Sequence, residues 1–175
     1  MADSDKLARF EQLVLPHLDA AYNLARWLMR NEQDAEDAVQ EAYLRAFRFF
    51  DTLESRDARP WLLAIVRNAC RSFFKKAASR ENTMEFDDQI HAASSEEGPE
   101  QRFMREADIG QVRSCIEQLP GDYREVVILR EIEGLSYKEI AAAVAAPVGT
   151  VMSRLSRARV RLQDCLAMRL KGTRA

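Results

Sequence analysis

Ser136-Tyr137-Lys138-Glu139-Ile140-Ala141-Ala142-Ala143-Val144-Ala145-Ala146-Pro147 runs directly into Val148-Gly149-Thr150-Val151-Met152-Ser153-Arg154-Leu155-Ser156-Arg157-Ala158-Arg159, and this junction decides the fold. Ser136 with Glu139 three residues later fits a capping box, in which the hydroxyl satisfies the third helical N–H and the carboxylate reaches back to the cap's own N–H. A helix therefore starts at Tyr137. It must stop near Ala145-Ala146, because Pro147 pushes its predecessor out of the helical region. After a turn of about four residues the apolar stripe Val151, Leu155, Ala158 and Leu162 follows the i, i+4, i+7, i+11 rule of a second, longer helix. Short helix, tight turn and longer helix make a helix-turn-helix.

At about 100° per residue, Ser153, Ser156, Arg157 and Val160 fall opposite that stripe, with Met152, Arg154, Arg159 and Arg161 on its flanks. A helix in the DNA major groove reads base edges with its outermost N-terminal residues while its flanks meet the phosphate walls. Arg157 can thus offer a guanidinium fork to a guanine edge, and Arg154, Arg159 and Arg161 suit phosphates. The plain alternative is a solvated, arginine-rich face on the last helix of a bundle.

Charge supports the DNA reading once its distribution is considered. The 175 residues carry a net charge of −2. Within that mean, Arg56 to Arg80 holds seven Lys/Arg against Asp57 alone, and Pro147 to Ala175 holds seven against Asp164 alone. Ala77 to Glu106 between them carries eight Asp/Glu against three Arg, so an acidic block separates two basic ones.

The N-terminal half is also helical, since apolar residues from Phe10 to about Lys76 recur at helical spacing without strand alternation or hairpin turns. The pattern predicts helices over Leu13–Met29, Asp34–Phe50 and Pro60–Lys75, with a loop at Asp51–Arg59. Ser79 to Pro99 loses the periodicity and gains Ser, acids and the Gly98-Pro99 breaker, as linkers do. The chain is expected to be all-α: two small helical domains, 1–78 and 106–175, joined by an acidic flexible linker at 79–105.

Several function classes fit poorly. No window approaches a membrane span and Met1 to Glu11 is charged, so a cytoplasmic protein without membrane insertion is expected. Cys70, Cys115 and Cys165 lack metal or redox spacing and read as small buried hydrophobes. His17 and His91 have no nucleophile or paired carboxylates around them, so no enzyme, cofactor or metal site is expected. A response-regulator-type factor would need a receiver or ligand pocket that Phe10 to Lys76 does not encode. A pure protein adaptor would leave both basic blocks unexplained.

Leu119-Pro120-Gly121-Asp122-Tyr123-Arg124-Glu125-Val126-Val127, followed by Gly134-Leu135-Ser136-Tyr137-Lys138-Glu139-Ile140-Ala141 and Pro147 to Arg159, resembles region 4 of the extracytoplasmic-function group of sigma-70 factors. Asp34-Ala35-Glu36-Asp37-Ala38-Val39-Gln40-Glu41-Ala42-Tyr43-Leu44-Arg45-Ala46-Phe47 is similar to region 2 of the same family. The resemblance implies an alternative sigma factor, stress-responsive and controlled by an anti-sigma factor. Its implied partners are core RNA polymerase, through the beta-prime clamp helices and the beta flap, and promoter DNA. It implies minus-35 recognition by Met152, Ser153, Arg154, Ser156, Arg157, Arg159 and Arg161, although many relatives carry Lys or Arg where Met152 stands. Asp37, Gln40, Glu41 and Leu44 correspond to positions that dock on the clamp helices. Trp61, Arg67, Asn68, Arg71, Lys75 and Lys76 lie in the segment that opens and reads the minus-10 element, with Thr52–Arg59 forming the pocket for an extruded base. Stacking walls, edge-reading amides and cations suit separated strands. By periodicity, at least two of Trp61, Phe73 and Phe74 belong to the core.

Overall fold

A computed structural model describes residues 2–81 and 99–173, with side-chain surroundings described for 4–79 and 108–172. Among the described residues there are helices and turns and no strand. The first half holds α1 (Ala2–Val14), a 3-10 turn (Leu15–His17), α2 (Leu18–Leu28), α3 (Glu32–Arg48), a second 3-10 turn (Phe50–Thr52) and α4 (Arg59–Glu81). The second half holds α5 (Pro99–Glu117), α6 (Gly121–Val127), a π-helical turn (Ile128–Ile132), α7 (Tyr137–Val144) and α8 (Val148–Thr173).

One expectation about the helices needs correction here. The single helix expected over Leu13–Met29 is two, because Pro16 has no N–H to donate and its ring clashes with the preceding turn. The 82–98 stretch of the expected linker lies outside the described residues, and helix enters the predicted 79–105 span from both sides. Ala77 to Glu81 contains no breaker, so α4 continues to Glu81, while Pro99 takes the first-turn position of α5 that its fixed φ favours.

α2, α3 and α4 pack on one another around Leu24, Leu28, Ala35, Val39, Ala42, Leu62, Leu63 and Val66. α6, α7 and α8 close a second apolar centre at Val126, Ile128, Leu129, Ile140, Val151 and Leu155. The halves are in contact, because α7 packs against α4, and the buried residues of both form one contiguous cluster. Alanines along the buried face of α3 let its backbone approach α4 closely, a consequence of the pattern Ala35, Ala38, Ala42, Ala46. On α1, Phe10 meets Tyr43, Phe47 and Phe50 edge-on, with ring centroids 6.2, 5.2 and 5.4 Å away.

Cys115 and Cys165 are not the separate buried hydrophobes that their spacing suggests. They form a disulfide across 50 residues, with Cα atoms 5.9 Å apart. The packing of α5 against α8 creates this proximity, which sequence separation cannot reveal. Cys70 is a buried free thiol, and burial pushes its pKa up to about 12.

The turn of the helix-turn-helix contains one costly residue. Ala145 caps α7 in the left-handed conformation at φ 53° and ψ 48°, where an L side chain crowds the following carbonyl. Its side chain is exposed. Ala145→Gly should therefore raise stability by about 0.5–1 kcal/mol, the relief of strain exceeding the added unfolded-state entropy. Denaturant midpoints check this, and an unchanged or lower midpoint would refute the strain.

Candidate nucleic-acid interface

The capping box is present in full: the Glu139 N–H donates to Ser136 Oγ at 3.2 Å, and the Ser136 N–H donates to Glu139 Oε2 at 2.7 Å. Ahead of it, Arg130 donates to the Leu135 carbonyl at 2.8 Å and lies 4.6 Å from the Tyr137 ring centroid. Gly134, at φ +68°, takes the left-handed turn between them. These contacts fix the start of α7 and, through the three-residue turn to Val148, the entry of α8.

On α8 the predicted stripe is buried at Val151, Leu155 and Ala158, with Leu162 half-buried against the same core. Met152, Ser153, Ser156 and Arg157 are exposed, Met152 at 51%. Arg157 makes no ion pair among the described residues and projects from the face opposite the stripe. The flanking arginines are engaged otherwise. Arg154 lies 3.6 Å from Asp122, and Arg159 donates to Glu131 Oε1 from Nε at 3.0 Å and from Nη2 at 2.5 Å. Hydrogen bonding to Glu131 raises the Arg159 pKa further. The Arg161 guanidinium stands 5.4 Å from the Tyr123 ring centroid.

The second candidate surface is α4. Asn68, Arg71, Lys75 and Lys76 are exposed, and Asn68 Oδ1 accepts a 3.2 Å hydrogen bond from Arg67 Nη1. Trp61 and Phe73 are half-buried against the core and Phe74 is 41% exposed, as the periodicity anticipates. Arg67 differs from its α4 companions. At 5% exposure, it turns into the contact between the halves and donates to Glu125 Oε2 at 2.9 Å. Arg59 crosses the same contact, donating to the Glu133 carboxylate at 2.9 Å and to the Glu133 carbonyl. Burial raises the Glu133 pKa while Arg59 opposes the rise. Beside these pairs, a groove of about 350 Å³ separates α4 from α6, lined by Leu28, Cys70, Arg71, Lys75 and Arg124. On α5, Arg113 sits 4.9 Å from the Trp27 ring centroid, a further contact between halves. Sequence reasoning missed Asp122, Glu125, Glu131 and Glu133 as partners, since the arginines they meet lie at least 28 residues away.

The third surface is the acidic side of α3. Asp37 and Glu41 are half-buried, and Gln40 and Leu44 are exposed, Leu44 at 69%. Gln33 Nε2 donates to Asp37 at 3.1 Å, and Arg45 pairs with Glu41 at 2.7 Å one turn on. The cap is Asn31, whose Oδ1 accepts from the Asp34 N–H at 2.8 Å, three residues ahead of the expected start.

A helix-turn-helix with an exposed polar reading face, a basic second helix surface and an apolar-acidic third one define a two-part helical DNA-binding protein. Family models agree in detail: Sigma-70 region 2 matches residues 13–80 and Sigma-70 region 4 matches residues 109–162. The chain belongs to the sigma-70 family, in its extracytoplasmic-function group. It is 38% identical to the ECF RNA polymerase sigma-E factor of Escherichia coli strain K12, over 72% of this chain and 70% of that protein. With the RNA polymerase sigma-H factor of Pseudomonas aeruginosa it shares 34% identity over 93% of this chain and 88% of the relative. Identity to the ECF factor SigE of Mycolicibacterium smegmatis is 32% across 94% of this chain, which spans 64% of that longer protein. Among solved structures, the sigma factor RpoE of Bartonella quintana, in complex with the anti-sigma factor NepR, superposes with a TM-score of 0.74 at 30% identity, covering 90% of this chain and 96% of the other. No described helix is long and apolar enough to cross a membrane.

Proposed function

We propose that this chain is an alternative sigma factor that binds core RNA polymerase, directs it to particular promoters and is held in check by an anti-sigma protein. The observation that carries the reading is α8 itself: an exposed Ser153, Ser156 and Arg157 face on a capped helix-turn-helix, attached to a second helical unit with its own basic surface. In this reading residues 1–78 bind core polymerase and melt the minus-10 element, 79–105 link, and 106–175 recognise the minus-35 element. Asp37, Gln40, Glu41 and Leu44 dock on the beta-prime clamp helices, and the 106–175 unit meets the beta flap. Trp61, Asn68, Arg71, Lys75 and Lys76 serve the opened strand, joined by Arg67 once the halves part. Control by an anti-sigma factor is supported by the likeness to sigma factors solved with NepR and, for CnrH, with the cytosolic domain of CnrY. The cytoplasm is the expected location, and inducing stress the expected signal.

Adding the chain to core polymerase on fragmented genomic DNA tests the whole reading, the expected result being transcripts from discrete start sites. Transcripts no different from those of core enzyme alone would overturn it. Within α8, Arg157→Ala in the holoenzyme should cost about 1–3 kcal/mol and relax preference at one minus-35 position. Replacing Arg154 or Arg159 by Ala should weaken binding to all sequences alike and lower the salt slope by about one for each phosphate no longer neutralised. Met152→Lys should strengthen binding and steepen the slope. A uniform loss from Arg157→Ala, with altered base preference from Arg154→Ala, would mean that the helix enters the groove in another register.

A further inference from the structure

The segment from Asp122 to Glu133 contains four acidic residues, and each meets an arginine outside the segment. Asp122 faces Arg154 at 3.6 Å, Glu125 holds Arg67 at 2.9 Å, Glu131 holds Arg159 at 2.5 Å and Glu133 holds Arg59 at 2.9 Å. Three of these arginines, Arg67, Arg154 and Arg159, are ones the reading above gives to DNA. By contrast Arg71, Lys75, Lys76 and Arg157 have no carboxylate partner among the described residues.

Such pairs contribute little as stabilisers where they are exposed, the usual figure being about 0–1 kcal/mol. Their geometry is more informative. A carboxylate accepting from both Nε and Nη2 of a guanidinium presents an anionic oxygen where a phosphate oxygen would sit. We infer that Asp122 on α6 and Glu131 on the π-helical turn are internal counter-charges, Glu131 holding Arg159 by two hydrogen bonds in a phosphate-binding pose and Asp122 facing Arg154 more loosely, and that both must be displaced when DNA binds. They are positioning residues that lower affinity for any duplex, leaving discrimination to the unpaired Arg157. Glu125 occupies Arg67 in the same way across the contact between the halves, but the burial of both residues prevents exchange until the halves part. The inference rests on α8 entering DNA, and the experiment separates the two.

The full chain is titrated with a labelled duplex of mixed sequence at several KCl concentrations. The double variant Asp122→Asn with Glu131→Gln should bind about threefold to tenfold tighter at low salt, because two competing exposed pairs are removed. Asp164→Asn, which removes an exposed acid of α8 that pairs with no arginine among the described residues, reports the effect of net charge alone and should change affinity by less than about twofold. In a background of Arg154→Ala with Arg159→Ala the gain must vanish, the mark of a coupled pair in a mutant cycle. A second route, Asp122→Ser with Glu131→Ala, must reproduce the gain. The inference is overturned if the gain matches that of Asp164→Asn or persists without the arginines. If instead the two arginine substitutions alone leave affinity unchanged, the DNA reading of α8 is what fails.

Discussion

Replacing Asp37, Gln40 and Glu41 together by Ala is expected to abolish binding to core polymerase while leaving the fold intact. All three lie on the side of α3 away from Ala35, Ala38, Val39, Ala42 and Ala46, which are buried. The local interactions removed are the Gln33–Asp37 hydrogen bond and the Glu41–Arg45 pair, together about 1 kcal/mol or less at an exposed helix surface. In an interface the same groups would be central: three polar hydrogen-bonding side chains beside the apolar Leu44 form the kind of patch in which a few residues supply most of the binding energy. Loss of affinity by about a hundredfold or more is therefore expected. Competition against another sigma factor for a limiting amount of core enzyme reads it directly, with far-UV circular dichroism reporting the fold. A triple variant that competes normally would leave Asp37 and Glu41 as helix-surface acids only.

Reduction of the Cys115–Cys165 disulfide should lower the stability of the C-terminal unit by about 4 kcal/mol, the chain-entropy value for a closed loop of 50 residues. Native strain, or residual structure in the reduced unfolded chain, would bring the figure down. The bond ties the C-terminal half of α8 to α5, where Arg169 also donates to Ser114 Oγ at 2.7 Å. Cys165→Ser should match the reduced protein, and Cys70→Ala should add no redox dependence, because that thiol has no disulfide partner. Denaturant midpoints with and without dithiothreitol decide the matter: identical values would mean that the thiols are not joined in solution.

Local signals are readable in the sequence and long-range ones are not. The helix-turn-helix is legible because a capping box, a proline and an apolar period all act within a few residues of one another. The acidic helix is legible for the same reason, its alanine face and its polar face alternating at helical spacing. The break at Pro16 is also encoded, but the apolar period continues past it and masks the missing donor. Nothing near Cys115 announces Cys165, and nothing near Glu125 announces Arg67, 58 residues earlier. Those pairings exist only once α5 lies on α8 and α4 lies on α7. Helical face alone thus picks out the candidate DNA residues, while their partners require the packing.

The contact between α4 and the helices of the second half has a thermodynamic corollary. Arg67 cannot reach a nucleic acid while Glu125 covers it, so only the fraction of molecules with the halves apart is competent for that contact. Apparent affinity for any ligand needing the separated form is the intrinsic affinity scaled by that fraction. Each 1.4 kcal/mol, roughly, by which the joined form is favoured costs such a ligand a factor of ten. Conditions that never touch the ligand then tune its binding. Cooling weakens apolar association, so it shifts the population toward the separated form, whereas the buried Arg67–Glu125 pair is little screened by salt. The joint between the halves makes the availability of Arg67 to any ligand a function of the medium as well as of that ligand.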